Sequence, residues 1–135
     1  MNVFVIDKSK LLTERLVAMA NEATNITAVY TAGTYDESLE LLKKLNPDIV
    51  MIDMGLPESK SVELLKLIKS TNRDACFIVL FNELNDLKKQ YCEYLGVSFI
   101  FDKYRDVEKI TPAINFLTSN KKIHKRCVPI DPLEN

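Results

Sequence analysis

The chain reads as an α/β protein: a (βα)5 doubly wound sheet of five parallel strands in the order 2-1-3-4-5. Three observations predict this. Short apolar runs alternate five times with longer segments of helical period. Three of those runs, at 3–6, 49–52 and 77–81, are apolar without alternation, as strands buried on both faces are. The 135 residues suit one domain with a core of its own.

The first strand is predicted at 3–6 (VFVI), where every residue is β-branched or aromatic. Leu12, Leu16, Met19, Ala20 and Ala23 then recur on one stripe of a helix. The second strand is predicted at 26–30, followed by a short helix marked by Leu41, Leu42 and Leu45 and closed by Pro47. The third strand, 49–52, leads to a helix carrying Val62, Leu65 and Ile68. After the fourth strand, 77–81, Leu84, Leu87, Tyr91, Cys92 and Leu95 repeat the stripe, and Gly96 supplies the left-handed residue that ends a helix. The fifth strand, 97–101, precedes the last stripe of Val107, Ile110, Ile114 and Leu117. Right-handed crossovers place helices on both faces of such a sheet. Its working crevice lies at the carboxyl ends of the strands, where the order reverses between strands 1 and 3.

Composition excludes several classes. Apolar residues make up 47% and charged residues 27%, a globular balance. Eighteen Lys and Arg against nineteen Asp and Glu leave a net charge of -1, so no basic field points to nucleic acid. No apolar run reaches the roughly 18–20 residues of a membrane span, and no secretory leader is evident at the N-terminus. Cys76, Cys92 and Cys127 are an odd count without close pairing, which leads us to expect a reducing, cytoplasmic setting. The domain is expected over 1–118. A polar tail, 119–135, carries Lys121, Lys122, His124, Lys125 and Arg126 and then VPIDPLEN. It reads as a solvated terminus, with a linker or a docking arm for an acidic partner as the sharper alternatives. His124 and Cys127 make half a zinc site, and the other half is absent from the sequence.

Polar residues that follow buried parallel strands are the ones that face the crevice. Asp7 follows strand 1, Asp53 follows strand 3, and Asp102 with Lys103 follows strand 5. The predicted order sets Asp7 and Asp53 side by side, within reach of the long Lys103 stem. Two carboxylates and an ammonium suit phosphoryl groups or a hard cation. The plainer reading is that each aspartate caps the helix after it.

The stretches VFVIDKSKLLTERL, NPDIVMIDMGLPES, FIVLF and LGVSFIFDKY, the D-x-x-L-P motif at 53–57 and the spacing of Asp7, Asp53 and Lys103 together resemble the receiver domain of bacterial response regulators, of the chemotaxis-regulator type. The resemblance covers roughly residues 1–118. It implies a flavodoxin-like fold and a role in two-component, or phosphorelay, signal transduction. Asp53 would be the phosphoacceptor, charged by a sensor histidine kinase or a phosphotransfer protein. Mg2+ would be held by Asp7, Asp53 and the backbone carbonyl of Gly55. Lys103 would contact the phosphoryl oxygens. A downstream protein partner would dock on helix 4, strand 5 and helix 5. No enzyme activity beyond self-directed phosphate transfer and loss is implied, nor any direct contact with nucleic acid or membrane. A homodimer stays open.

The sequence departs from that pattern at the site itself. Where the family usually has a second acid, Lys8 follows Asp7, so Asp7, Lys8, Asp53 and Lys103 sum to a formal charge of zero and Mg2+ is expected to bind weakly if at all. The Lys8 ammonium either takes the metal's place or snorkels into solvent. The hydroxyl position at the end of strand 4 is Phe81, unless a bulge brings Asn82 into the slot. Tyr104 follows Lys103 where proline is common. The switch position in strand 5 is Ile100, an aliphatic with few ways to swing. Two functions compete: a working phosphoacceptor, and a pseudo-receiver that binds its partner without phosphorylation. The receiver half of a truncated transcriptional regulator is the third, although no helix-turn-helix segment is present. A hydrolase or phosphotransferase acting on small substrates lacks any Gly-rich phosphate loop or Ser/His arrangement.

Overall fold

The computed structural model describes residues 1–72 and 74–119. Five strands, β1 (Asn2–Ile6), β2 (Ala28–Ala32), β3 (Ile49–Asp53), β4 (Cys76–Phe81) and β5 (Phe99–Asp102), alternate with five helices. The helices are α1 (Lys10–Glu22), α2 (Tyr35–Leu42), α3 (Glu58–Thr71), α4 (Asp86–Leu95) and α5 (Ile110–Ser119), the last entered through a 3-10 turn at Val107–Lys109. The sheet is parallel throughout, in the order β2-β1-β3-β4-β5. The predicted fold class is the observed one.

The absence of alternation in β3 and β4 has the expected cause: every residue of both strands is buried. Side chains on one face of the sheet (Val3, Val5, Ile49, Met51, Ile78, Leu80, Phe99, Phe101) pack with Leu12 and Leu16 of α1 and Ile114 and Leu117 of α5. Those on the other face (Phe4, Ile6, Val50, Ile52, Phe77, Val79) pack with Leu64, Leu65 and Ile68 of α3 and Cys92 and Leu95 of α4. A two-sided core of this kind fixes register, because a one-residue slip would exchange the two faces of a strand.

Every helix starts at the carboxyl edge of the sheet, and three starts are capped as their sequences dictate. Ser9, Thr34 and Asn85 each accept a backbone N–H three residues on. Gly96 ends α4 with φ 79°, in the left-handed region that glycine enters without strain.

Beyond one-residue extensions of β1, β3 and β4, four details differ from expectation. Strand β2 spans Ala28–Ala32 and not 26–30, because the chain turns at Asn25 (φ 66°) and pairing starts at Asn2↔Ala28. Strand β5 spans Phe99–Asp102 and not 97–101, since Val97 directly follows the left-handed Gly96. The second helix begins earlier, capped by Thr34, and ends at Leu42, leaving Leu45 in the turn that follows. Helix α4 starts after Leu84, and Leu87 and Tyr91, read from the period as inward-facing, are 76% and 42% exposed. Ser119, assigned to the polar tail, is the last residue of α5, and the rest of the tail, with its basic cluster, His124 and Cys127, lies outside the described residues. Among the described residues no helix is long and apolar enough to cross a membrane.

Candidate functional site

The sheet brings the three predicted residues together. Pairing of Ile6 with Ile52 leaves Asp7 and Asp53 as neighbours at the ends of β1 and β3. Pairing of Phe81 with Asp102 carries Lys103 to the rim, where its backbone N–H donates to the Phe81 carbonyl at 2.8 Å. The Lys103 ammonium lies 3.0 Å from Asp7 Oδ2 and 3.0 Å from Asp53 Oδ1, bridging both carboxylates. All three side chains are buried.

Each aspartate is aimed by a local bond. Asp7 Oδ1 accepts the Ser9 N–H at 2.8 Å, and Asp53 Oδ1 accepts the Gly55 N–H at 2.8 Å. A Cβ on Gly55 would lie 3.2 Å from Asp53 Oδ1, so this turn favours glycine for its close approach. Ser61 of α3 anchors the same turn, its hydroxyl donating to the carbonyls of Asp53 (2.7 Å) and Leu56 (2.8 Å). Among the described residues the buried Asp53 Oδ2 has no hydrogen-bond partner. Asp7 Oδ2 also lacks a well-aligned hydrogen bond, although the Lys103 charge stands beside it.

Burial pushes the Asp7 carboxyl above its ordinary pKa, and the charge of Asp53 adds to that push. The Ser9 N–H and Lys103 oppose it without cancelling it. Burial alone would lower the Lys103 ammonium, but its bonds to Asp53 and Asp7 and their charges outweigh burial and raise it. Lys103 is therefore a permanent cation at neutral pH.

Lys8 extends along the rim and donates to the Gly55 carbonyl at 3.3 Å. Both Lys8 and this bond are exposed, and the ammonium sits on the carbonyl that the receiver pattern assigns to a metal ion. Phe81 is buried at the end of β4, whose pairing with β5 continues unbroken through Phe81, so no bulge brings Asn82 into the strand. The Lys88 ammonium lies 5.4 Å from the centre of the Phe81 ring and donates to the Glu83 carbonyl. A cavity of about 440 Å3, lined by Met54, Gly55, Phe81, Asn82, Glu83 and Lys88, opens beside Asp53. Ile100 is half-buried against the apolar cluster on the α3–α4 side. Tyr104 is 70% exposed.

Asp102 does not join the group. Its carboxylate accepts the N–H groups of Tyr104 and Arg105, which hold it below the ordinary carboxylate pKa, and its own N–H donates to Asp106. It organises the loop that presents Lys103. Sequence reasoning missed this role and that of Ser61. The sequence marks the latter only as one of two serines, Ser59 and Ser61, that follow Pro57.

The donor set does not fit a tight Mg2+ site. Asp7 and Asp53 offer two carboxylates, both held by Lys103, and the Gly55 carbonyl already accepts a bond from a cation. Among the described residues no three His, Cys, Asp or Glu side chains gather as metal ligands.

Comparison with known proteins identifies the family and the fold. The family model described as the response regulator receiver domain matches residues 3–115. A protein-glutamate methylesterase/protein-glutamine glutaminase of Clostridium acetobutylicum is 32% identical over 97 residues, covering 70% of this chain and 28% of that protein. A protein of the same description from Nitrosospira multiformis is 32% identical over 78 residues, 58% of this chain and 22% of its own length. The chain thus spans under a third of these curated relatives. Among solved structures, the isolated REC domain of RcsB from Salmonella enterica serovar Typhimurium, in the presence of phosphomimetic BeF3-, superposes with a TM-score of 0.78 at 20% identity, covering 88% of each chain. The signal receiver domain of a DNA-binding response regulator from Colwellia psychrerythraea gives 0.78 at 19% identity, covering 88% of this chain and 98% of that one.

Proposed function

This chain belongs to the response regulator receiver domain family, and we propose that within two-component signalling it works as a pseudo-receiver, a cytoplasmic protein-binding module whose docking surface does not wait for phosphate. The observation that carries this reading is Phe81, buried at the end of β4 where the family pattern calls for a hydroxyl. A phenyl ring donates no hydrogen bond to a phosphoryl oxygen, so a group on Asp53 would find nothing there to pull the β4–α4 loop inward. Lys88, resting over that ring and bonded to the Glu83 carbonyl, further holds the loop to α4. Ile100, half-buried against the α3–α4 side of the core, fits a surface kept in one state. The partner would be a protein docking on α4, β5 and α5, and the module would turn over no substrate of its own.

Incubation with a small phosphodonor and Mg2+ followed by intact mass tests this. We expect no adduct that is lost in Asp53→Asn; an Asp53-dependent adduct that also alters amide signals across 86–95 would overturn the reading.

One observation favours the second reading, a working phosphoacceptor charged by a sensor histidine kinase or phosphotransfer protein. Asp53 keeps one buried carboxylate oxygen free of any bond while Gly55 and Lys103 hold the other, which is the posture of a nucleophile. The mass and amide measurements together separate the two.

A further inference from the structure

We infer that Lys8 is the resident cation of this pocket: its ammonium, on the Gly55 carbonyl, holds the β3–α3 turn and excludes divalent metal ions. The inference rests on the receiver reading of the site and concerns its metal chemistry, a separate matter from whether Asp53 is ever phosphorylated.

Two observations support it. The first is connectivity. Lys8 bonds the Gly55 carbonyl, the Gly55 N–H bonds Asp53 Oδ1, Asp53 pairs with Lys103, and Lys103 pairs with Asp7, the residue next to Lys8. The polar contacts thus close a ring through the ends of β1, β3 and β5 with no ion needed to complete it. The second is charge. Two carboxylates face two ammonium groups, so a divalent ion entering beside Asp53 Oδ2 would meet no net attraction and the Lys8 charge next to the carbonyl it must share. Asp7 Oδ1 takes the Ser9 N–H, and Ser9 then caps α1 through the Leu12 N–H, so the backbone on either side of Lys8 is fixed while its ammonium reaches the Gly55 carbonyl. Lysine suits the role because its head is a compact point charge on a long stem.

Titration of Mg2+, with Mn2+ as a second probe, into the native chain and into Lys8→Met, Lys8→Arg and Lys8→Asp tests this by calorimetry and by the Gly55 amide signal. No phosphodonor is present. The native chain and Lys8→Arg are expected to show no saturable binding at millimolar Mg2+. Removing the charge (Lys8→Met) should tighten binding roughly tenfold, and reversing it (Lys8→Asp) by about a hundredfold or more. The Gly55 amide should move in Lys8→Met without metal, because the bond to its carbonyl is lost. Native binding as tight as that of Lys8→Asp, or a Gly55 signal indifferent to Lys8→Met, would overturn the inference. An Asp53 adduct that forms equally with divalent metal chelated would leave it standing, so its failure and that of the pseudo-receiver reading are told apart.

Discussion

Replacing Lys103 by methionine removes the charge and keeps most of the stem, which isolates the electrostatic part of the site. At 3.0 Å each, and with an effective dielectric of about 20, the two contacts carry gross attractions of roughly 5 kcal/mol apiece. Most of that is offset by the cost of burying the ammonium, and removing one partner of a buried pair typically costs about 3–5 kcal/mol. Here the lower end applies, about 3 kcal/mol, because the bereaved Asp7 can take up a proton. Its carboxyl already sits above the ordinary value of 3.8 through burial and the neighbouring Asp53 charge, and loss of Lys103 lifts it further. The sign follows from linkage. A carboxyl whose folded pKa is raised stabilises the fold below its unfolded pKa and loses that contribution as pH rises through the folded value. The deficit of Lys103→Met relative to the native chain should therefore be largest at neutral pH and shrink as the solution is acidified. Urea denaturation of both proteins at pH 7 and pH 5 reads it directly. Equal stability at pH 7, or a deficit that widens on acidification, would refute the bridging role of Lys103.

Asp7→Asn should hold or raise stability at neutral pH, since burial and the Asp53 charge make the Asp7 carboxylate costlier in the fold than in the unfolded chain; thermal melts at neutral and acid pH should show the gain fading as pH falls. Ser61→Ala should cost about 1–3 kcal/mol in urea denaturation, because it leaves two buried carbonyls, those of Asp53 and Leu56, without this donor. Gly96→Ala should cost about 1–2 kcal/mol by the same assay, for the left-handed backbone at φ 79°. The Lys69 ammonium, 2.8 Å from the new methyl, is the end of a flexible chain and can move aside.

The parts of the fold visible in the sequence were those with one dominant cause. Strands β3 and β4 are buried on both faces, so their apolar runs carry no competing signal, and their ends, read at Ile52 and Phe81, fall within a residue of the observed Asp53 and Phe81. Asp7, Asp53 and Lys103 were legible as a group because parallel pairing turns strand ends into neighbours. Edge strand β2 was misplaced because its exposed Tyr30 and Thr31 serve no core, and apolar content no longer marks its limits. Leu87 and Tyr91 were read as inward because helical period alone does not say which side of an apolar stripe meets the sheet; Cys92 and Leu95 do. The destination of Lys8 was out of reach for another reason. A four-carbon stem sweeps both solvent and crevice, and only the position of the Gly55 carbonyl decides between them. Ser61 and Asp102 act through backbone groups distant in sequence or in the following loop, which side-chain patterns do not report.

The central claim is that the pocket around Asp53 is closed to metal-assisted phosphoryl chemistry and does not signal through Phe81. Backbone amide spectra of the native chain, recorded before and after addition of Mg2+ with BeF3-, test it most directly. The account predicts unchanged signals at Gly55 and Phe81 and throughout α4. Saturable shifts that begin at Asp53 and Gly55 and extend into 82–95 would contradict it.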